Sequence, residues 1–245
     1  MFPYRDENET QRTAIVTLAM IALNVLAWLF VQGAGSTLAL AQSVCNFGLI
    51  PGELTGSIAP GTQFPMGEGL ACATDPGRQL SHVFTHMFLH GSWLHLLGNM
   101  WFLWLFGNNV EDSMGHARYL IFYLACGIAA AMTQALMNPD STIPMVGASG
   151  AISGVLGAYV LLHPHATVRV LIFIGVFATI VHMPALIVLG LWFLTQFVSA
   201  AFSQAGGPGV AFWAHVGGFV AGMVLVPVLK QKGVPLFQPA HSRPF

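Results

Sequence analysis

At residues 144–162 the chain reads PMVGASGAISGVLGAYVLL, an apolar run rich in small residues. Near its start, Ser149 lies between Gly147 and Gly150. A second apolar stretch, at residues 210–229, carries His215 near its start. Ionisable side chains inside membrane spans are costly, so a histidine in such a stretch indicates function by default. Ser149 is a potential nucleophile and His215 a potential base. The two stretches together predict nucleophilic chemistry inside a membrane.

The composition indicates the class of protein. Hydrophobic residues make up 55% of the 245 residues and charged residues only 7%, whereas soluble domains carry about 25% charged residues. The mean hydropathy is +0.70. A net charge of -1 leaves no basic surface of the kind that binds nucleic acid. We therefore expect a polytopic membrane protein with no nucleic-acid partner.

Six apolar stretches are close to the length of about 20 residues that a helix needs to cross a bilayer. They are residues 14–31, 93–110, 119–137, 146–162, 184–202 and 210–229. The sequence thus predicts an all-α bundle of six transmembrane helices within residues 14–229. A shorter apolar segment, 168–181, is the candidate for a seventh span.

The basic residues favour six spans over seven, because cytoplasmic loops carry an excess of lysine and arginine. Six spans put seven of the eight basic residues on one side. These are Arg5, Arg12, Arg118, Arg169, Lys230, Lys232 and Arg243, with Arg78 on the other side. Segments 1–13 and 230–245 are then cytoplasmic, and 168–181 is an interfacial or bundle-packed connection.

The predicted outer loop, about residues 32–91, is the one sizeable segment outside the spans. It contains Cys45 and Cys72, which would face an oxidising compartment, so a disulfide is an open alternative to two free thiols. The small-residue pattern at residues 39–41 also fits a signal-peptide cleavage site. The preceding apolar run is longer than the roughly 7–15 residues of a signal peptide, which favours an uncleaved anchor.

Four polar side chains fall at one depth in the six-span arrangement. Ser149 lies about three residues into the fourth span, and His215 about five residues into the sixth. His95 and Asn99 lie in the first two turns of the second span and share one helix face. At a rise of 1.5 Å per residue, all four are within about 10 Å of one level.

Two glycine pairs predict that the helices carrying Ser149 and His215 pack closely. Gly150 and Gly154 follow Ser149 in the first stretch, and Gly218 and Gly222 follow His215 in the second. Such small-xxx-small pairs let membrane helices approach backbone to backbone. A serine can hydrogen-bond a histidine on a neighbouring helix only at this range, which supports a dyad.

The chemistry indicated by these residues is acyl transfer. His215 would remove the Ser149 proton, the hydroxyl would attack a peptide carbonyl, and His215 would protonate the departing amine. His95, Asn99 and the Ser149 backbone N–H are suitable donors for the oxyanion. Hydrolysis also requires a polar cavity that admits water at the outer ends of these helices.

The chain resembles the rhomboid family of intramembrane serine proteases over roughly residues 84–227. Three stretches carry the resemblance: HGSWLHLLGN at 90–99, GASG at 147–150, and AHVGG at 214–218 followed by Gly222. The resemblance implies Ser149 as nucleophile, His215 as base and acid, and His95 with Asn99 as oxyanion-stabilising groups. It implies no third triad acid, no metal and no cofactor. It also implies transmembrane protein substrates, with the fifth helix and outer loops as an entry gate.

Two features depart from the better-known bacterial pattern of that family. Ser153 stands where some members have a tyrosine that stacks on the catalytic histidine, so another feature must orient His215. The first outer loop also lacks a Trp-Arg pair. Neither departure removes a catalytic group.

Other interpretations have less support. A zinc site at His82, His86, His90 and His95 lacks the glutamate base of helical metalloprotease motifs, and Asp140 lies in an ordinary turn sequence. A non-catalytic binder of transmembrane clients is the alternative function, and a transporter lacks a charged relay in its spans. By analogy alone, the expected location is the bacterial inner membrane. The oligomeric state is not predicted.

Overall fold

The computed structural model describes residues 2–67, 69–174, 177–202 and 211–239. The strands are β1 (Phe2–Asp6), β2 (Gln63–Gly67), β3 (Leu70–Ala73), β4 (Thr167–Ile174) and β5 (Phe177–Pro184). The α-helices are α1 (Ile15–Leu26), α2 (Thr37–Phe47), α3 (Pro51–Thr55), α4 (His82–Thr85), α5 (Trp93–Met114), α6 (His116–Met137), α7 (Ser149–Leu162), α8 (Ala185–Phe202) and α9 (Phe212–Leu229). A π-helical turn at Ala27–Val31 extends α1, and 3-10 turns lie at Gly33–Gly35 and His86–Phe88.

Six helices, α1 with its π-helical extension and α5 to α9, correspond to the six predicted apolar stretches. Of the described helices, α6, α8 and α9 are long and apolar enough to cross a membrane. The helices at Ile15–Val31 and Ser149–Leu162 are apolar but shorter. The count of six spans stays a prediction.

The expectation of an all-α fold was wrong at two places. Segment 168–181 forms most of the antiparallel hairpin of β4 and β5, and β1 from the amino-terminal segment pairs with β4 to give the order β1-β4-β5. The outer loop contains the second, two-stranded sheet of β2 and β3. The physical reason lies in β4, TVRVLIFI, where β-branched residues favour an extended chain and eight residues are too few to span a bilayer.

The centre of the bundle is α7, which is buried along almost its whole length. It packs most extensively against α9, then against α6 and α5, and α8 packs against α9. A Cβ placed on Gly218 would overlap the carbonyl oxygen of Gly150, and one on Gly222 would overlap that of Gly154. The predicted backbone-to-backbone contact between these helices is therefore confirmed.

The outer loop is tied together by a disulfide and a buried carboxylate. Cys45 at the end of α2 is bonded to Cys72 in β3, with 5.7 Å between the Cα atoms. The Glu53 carboxylate accepts a hydrogen bond from the backbone N–H of Asp75 at 2.6 Å, and burial raises its pKa. These links join α2 to β3 and α3 to the segment that follows β3.

Asp6 fastens β1 to the helical bundle. One carboxylate oxygen accepts hydrogen bonds from Asn109 Nδ2 at 2.6 Å and from the Tyr159 hydroxyl at 2.9 Å. Burial raises the pKa of Asp6 from 3.8 to about 6, although the hydrogen bond from Tyr159 opposes this rise. The folded protein therefore binds a proton at Asp6 more tightly than the unfolded chain does.

This pKa rise predicts how Asp6→Asn changes stability with pH. Between about pH 4 and pH 6 the native state binds more protons at this site, so the free energy of unfolding falls as the pH rises. The amide keeps an acceptor oxygen but cannot ionise. We expect a gain of roughly 3 kcal/mol, or roughly 6–12 °C in unfolding temperature, at about pH 7.5 and much less at about pH 4. Thermal unfolding of the parent and the variant in detergent, at each of the two pH values, measures this difference.

The matched control for that measurement is Asp140→Asn, because Asp140 is an exposed carboxylate in the turn before α7. Its unfolding temperature should track that of the parent protein at both pH values. A stabilisation by Asp6→Asn of the same size at both pH values would contradict the assigned cause.

Candidate active site

Ser149 is the first residue of α7, and the residues before it place its side chain in a confined position. Gly147 adopts φ +125°, a backbone conformation that suits glycine alone. A Cβ at Gly147 would lie 2.8 Å from the imidazole Nε2 of His95. The glycine thus provides both the turn into α7 and the space that lets His95 lie beside the serine.

The structure brings Ser149 and His215 together across α7 and α9. His215 is the fourth residue of α9 and is buried, with 7% of its surface exposed. Its Nε2 lies 2.8 Å from Ser149 Oγ, within the range at which a base can take the serine proton. The contact depends on the glycine-mediated approach of the two helices described above.

The second ring nitrogen of His215 contacts a residue that the sequence argument missed. Nδ1 lies 2.7 Å from Oε1 of Gln196, which is on α8. The Trp192 ring, one turn earlier on α8, lies with its centroid 5.9 Å from the His215 ring. A glutamine in an otherwise apolar stretch was the available signal, because amide groups are costly in hydrocarbon unless they find a partner.

Ser153, which replaces the tyrosine expected from the resemblance, does not orient the histidine. Its hydroxyl donates a hydrogen bond to the carbonyl oxygen of Ser149 at 2.6 Å, within α7. Instead, the Gln196 amide oxygen on the neighbouring helix accepts the hydrogen bond from His215 Nδ1.

His95 and Asn99 line the same cavity as the serine and the histidine. This cavity has a volume of about 610 Å³ and lies toward the amino-terminal ends of α5, α7 and α9, beside α8. His95 Nδ1 accepts a hydrogen bond from the Gly91 backbone N–H at 3.3 Å, so in the neutral ring Nε2 carries the proton. Asn99 Nδ2 is buried and has no partner among the described residues. Both side chains thus have a donor available.

The other histidines of the predicted outer loop lie on different elements. His82 is in α4, with Nδ1 3.8 Å from Glu53 Oε2, while His86 begins a 3-10 turn and His90 precedes α5. Burial lowers the pKa of both His86 and His90 to about 3, so both are neutral near pH 7. Within the described ranges, no group of three or more His, Cys, Asp or Glu side chains is arranged to hold a metal ion.

Comparison with known proteins identifies relatives of this chain. It is 29% identical over 157 residues to rhomboid-like protein 11, chloroplastic, of Arabidopsis thaliana, covering 60% of this chain and 51% of that protein. It is 41% identical over 76 residues to rhomboid protease GluP of Bacillus subtilis, covering 31% of this chain and 14% of that protein. It is 32% identical over 90 residues to rhomboid protein 1, mitochondrial, of Saccharomyces cerevisiae, covering 35% of this chain and 26% of that protein. The matched regions thus span about half or less of these relatives.

These relatives bear on location and family. Their names include chloroplastic and mitochondrial proteins, so they do not support the predicted bacterial inner membrane. A family model described as the rhomboid domain matches residues 77–232, more than half of the chain and all four predicted site residues. Together with its apolar helices, this match makes the chain an integral membrane protein. It belongs to the rhomboid family.

Proposed function

We propose that this protein is an intramembrane serine endopeptidase that hydrolyses peptide bonds in or near the transmembrane segments of other membrane proteins. The observation that carries the proposal is the 2.8 Å contact between Ser149 Oγ and His215 Nε2 inside a cavity of about 610 Å³. A serine and a histidine held at this distance in a confined cavity form an activated nucleophile.

The reaction begins when His215 Nε2 accepts the Ser149 proton and Oγ attacks the carbonyl carbon of the substrate peptide. The tetrahedral intermediate collapses as the C–N bond breaks, and His215 gives its proton to the departing amine. Water then enters, loses a proton to His215 and attacks the ester carbonyl. The C–Oγ bond breaks, the carboxyl product leaves, and Ser149 regains its proton from His215.

The negative charge on the carbonyl oxygen requires donors that are already in place. His95 Nε2–H and Asn99 Nδ2–H are two, and the Ser149 backbone N–H at the free start of α7 is a third. Among the residues that the structure describes, these three N–H groups have no other partner, which supports this role because no existing hydrogen bond has to break. Loss of one such donor typically costs about 2.7–4 kcal/mol of barrier.

The length of α7 supports a site below the membrane surface. Its 14 residues rise about 21 Å, which is less than a hydrocarbon core of about 30 Å. With its carboxyl end at the cytoplasmic boundary, α7 leaves Ser149 about 10 Å beneath the outer boundary. In the proposed arrangement there are six spans, both termini are cytoplasmic, and the cavity connects the site to water.

An activity probe tests the nucleophile without knowledge of the natural substrate. The purified protein in detergent should react with a fluorophosphonate, and peptide mass spectrometry should locate the adduct on Ser149. The same preparation should cut a model transmembrane substrate. Labelling of no serine, with the substrate bound and left intact, would contradict the protease and favour a binder of transmembrane clients.

A further inference from the structure

We propose that Gln196 is a positioning residue that holds His215 in the tautomer and ring orientation needed to act as a base. The inference rests on the proposed Ser149–His215 dyad and adds α8 to the parts of the bundle that the dyad requires. The observation behind it is a contact between two side chains of this chain, Gln196 Oε1 and His215 Nδ1, at 2.7 Å.

The proton on the neutral His215 ring must be on Nδ1 if Nε2 is to act as a base toward Ser149. A neutral imidazole carries one N–H, and the other nitrogen is an acceptor. An oxygen facing Nδ1 requires the proton to be there, which leaves the lone pair of Nε2 directed at Ser149 Oγ. A donor in the place of that oxygen would put the proton on Nε2 and remove the base. The chemistry therefore needs an acceptor at residue 196.

The Gln196 amide has a hydrogen-bond partner at each end. Its Nε2 donates to the Thr195 hydroxyl oxygen at 3.4 Å. The two ends of the amide thus have partners of opposite kind, with the nitrogen on a hydroxyl and the oxygen on the ring N–H. This arrangement favours the amide orientation that presents its oxygen to His215.

Other groups also surround the His215 ring. The aromatic rings of Trp192 and Phe212 pack near His215, with centroids 5.9 and 6.4 Å away, but a ring face does not select a tautomer as an oxygen does. The Ser153 hydroxyl is committed to a carbonyl inside α7. Among the described residues, Gln196 is the one in hydrogen-bond contact with Nδ1.

The position of Gln196 on α8 gives this contact a consequence. In the apolar segment of α8, 22% of the residues are buried, compared with 39% in that of α6 and 33% in that of α9. The acceptor therefore comes from the least embedded of these three helices. A displacement of α8 away from α9 would withdraw the amide oxygen, so the readiness of His215 as a base depends on where α8 lies.

The test compares two substitutions at one position. Gln196→Leu removes the acceptor at similar volume, and Gln196→Glu keeps an oxygen in either protonation state. We expect Gln196→Leu to lower both the rate of fluorophosphonate labelling at Ser149 and kcat by about 10- to 100-fold, with KM nearly unchanged. Gln196→Glu should restore most of the labelling rate.

The pH profile gives a second readout that a merely structural role would not change. A carboxylate beside Nδ1 favours the imidazolium, so the acid limb of labelling in Gln196→Glu should move to higher pH than in the parent. Among the described residues, His95 is the titratable side chain that acts electrostatically on His215, and it is unchanged in both proteins. Leu194→Met, at a 53% exposed position of α8, is the control and should label at the parent rate.

The outcomes separate this inference from the proposed function. If the parent is labelled at Ser149 and Gln196→Leu is labelled equally fast, Gln196 has no positioning role and the dyad stands. If the Leu and Glu variants lose activity and thermal stability alike, the residue is structural and the inference is wrong. If the parent is not labelled at Ser149, the proposed function and this inference are both wrong.

Discussion

Ser149→Ala and His215→Ala are each expected to reduce cleavage of a model transmembrane substrate by about 10⁴-fold or more, which is below detection in a gel assay. The alanine at 149 lacks the hydroxyl oxygen that would form the acyl ester with the substrate. The alanine at 215 leaves the serine protonated in a confined cavity without a base. Because the two residues act as one unit, the double variant should lose no more activity than either single variant.

Two matched variants control for damage to the fold. Ser153→Ala removes the hydroxyl one turn further along α7, which bonds a carbonyl rather than His215. His165→Ala removes an exposed histidine after α7. Both should retain cleavage within a few-fold of the parent, and both dyad variants should still unfold cooperatively on heating. Cleavage by Ser149→Ala at a tenth of the parent rate would be incompatible with Ser149 as the nucleophile.

Gly218→Val is expected to cause the second largest loss, by moving α9 away from α7. A Cβ at this position overlaps the carbonyl oxygen of Gly150, and that backbone atom has no rotamer through which to avoid it. Overpacking of this kind costs about 1–3 kcal/mol of stability. A displacement of about 1 Å at a catalytic contact costs about 100-fold in rate. We therefore expect cleavage to fall by about 100-fold or more, together with a lower unfolding temperature.

The comparison for Gly218→Val is Gly190→Val in α8, where an added Cβ meets nothing within 4 Å. The two variants make the same chemical change in apolar helices, so their helix-propensity effects are similar. Gly190→Val should keep most of the activity. Equal losses in the two variants would mean that valine in a helix, rather than the contact between α7 and α9, is responsible.

The helices and the contact between Ser149 and His215 were accessible from the sequence because their signals are local or depend on depth. An apolar run of about 20 residues predicts a helix without knowledge of its neighbours. The positions of Ser149, His215, His95 and Asn99 near the starts of their helices predicted a common level. Small residues at four-residue spacing predicted the close approach that places the serine against the histidine.

Some of the parts that were missed depend on partners far away in the chain. Segment 168–181 is apolar enough for a buried connection, and although β4 pairs locally with β5, β4 also pairs with β1, more than 160 residues earlier in the chain. Pairing between distant strands leaves no periodic signal that specifies the partner. The Cys45–Cys72 bond stayed an open alternative for the same reason, since spacing alone does not bring two Cα atoms to 5.7 Å.

By itself the sequence determined that this is a membrane-embedded helical protein, and it indicated which residues carry the proposed chemistry, because hydrophobic length and polar residues at one depth are properties of single segments. Only the tertiary structure decided which group faces the second nitrogen of His215. Gln196 is 19 residues away and on another helix, and the rotation and approach of packed helices determine such a contact. Those quantities come from side-chain packing across the whole bundle.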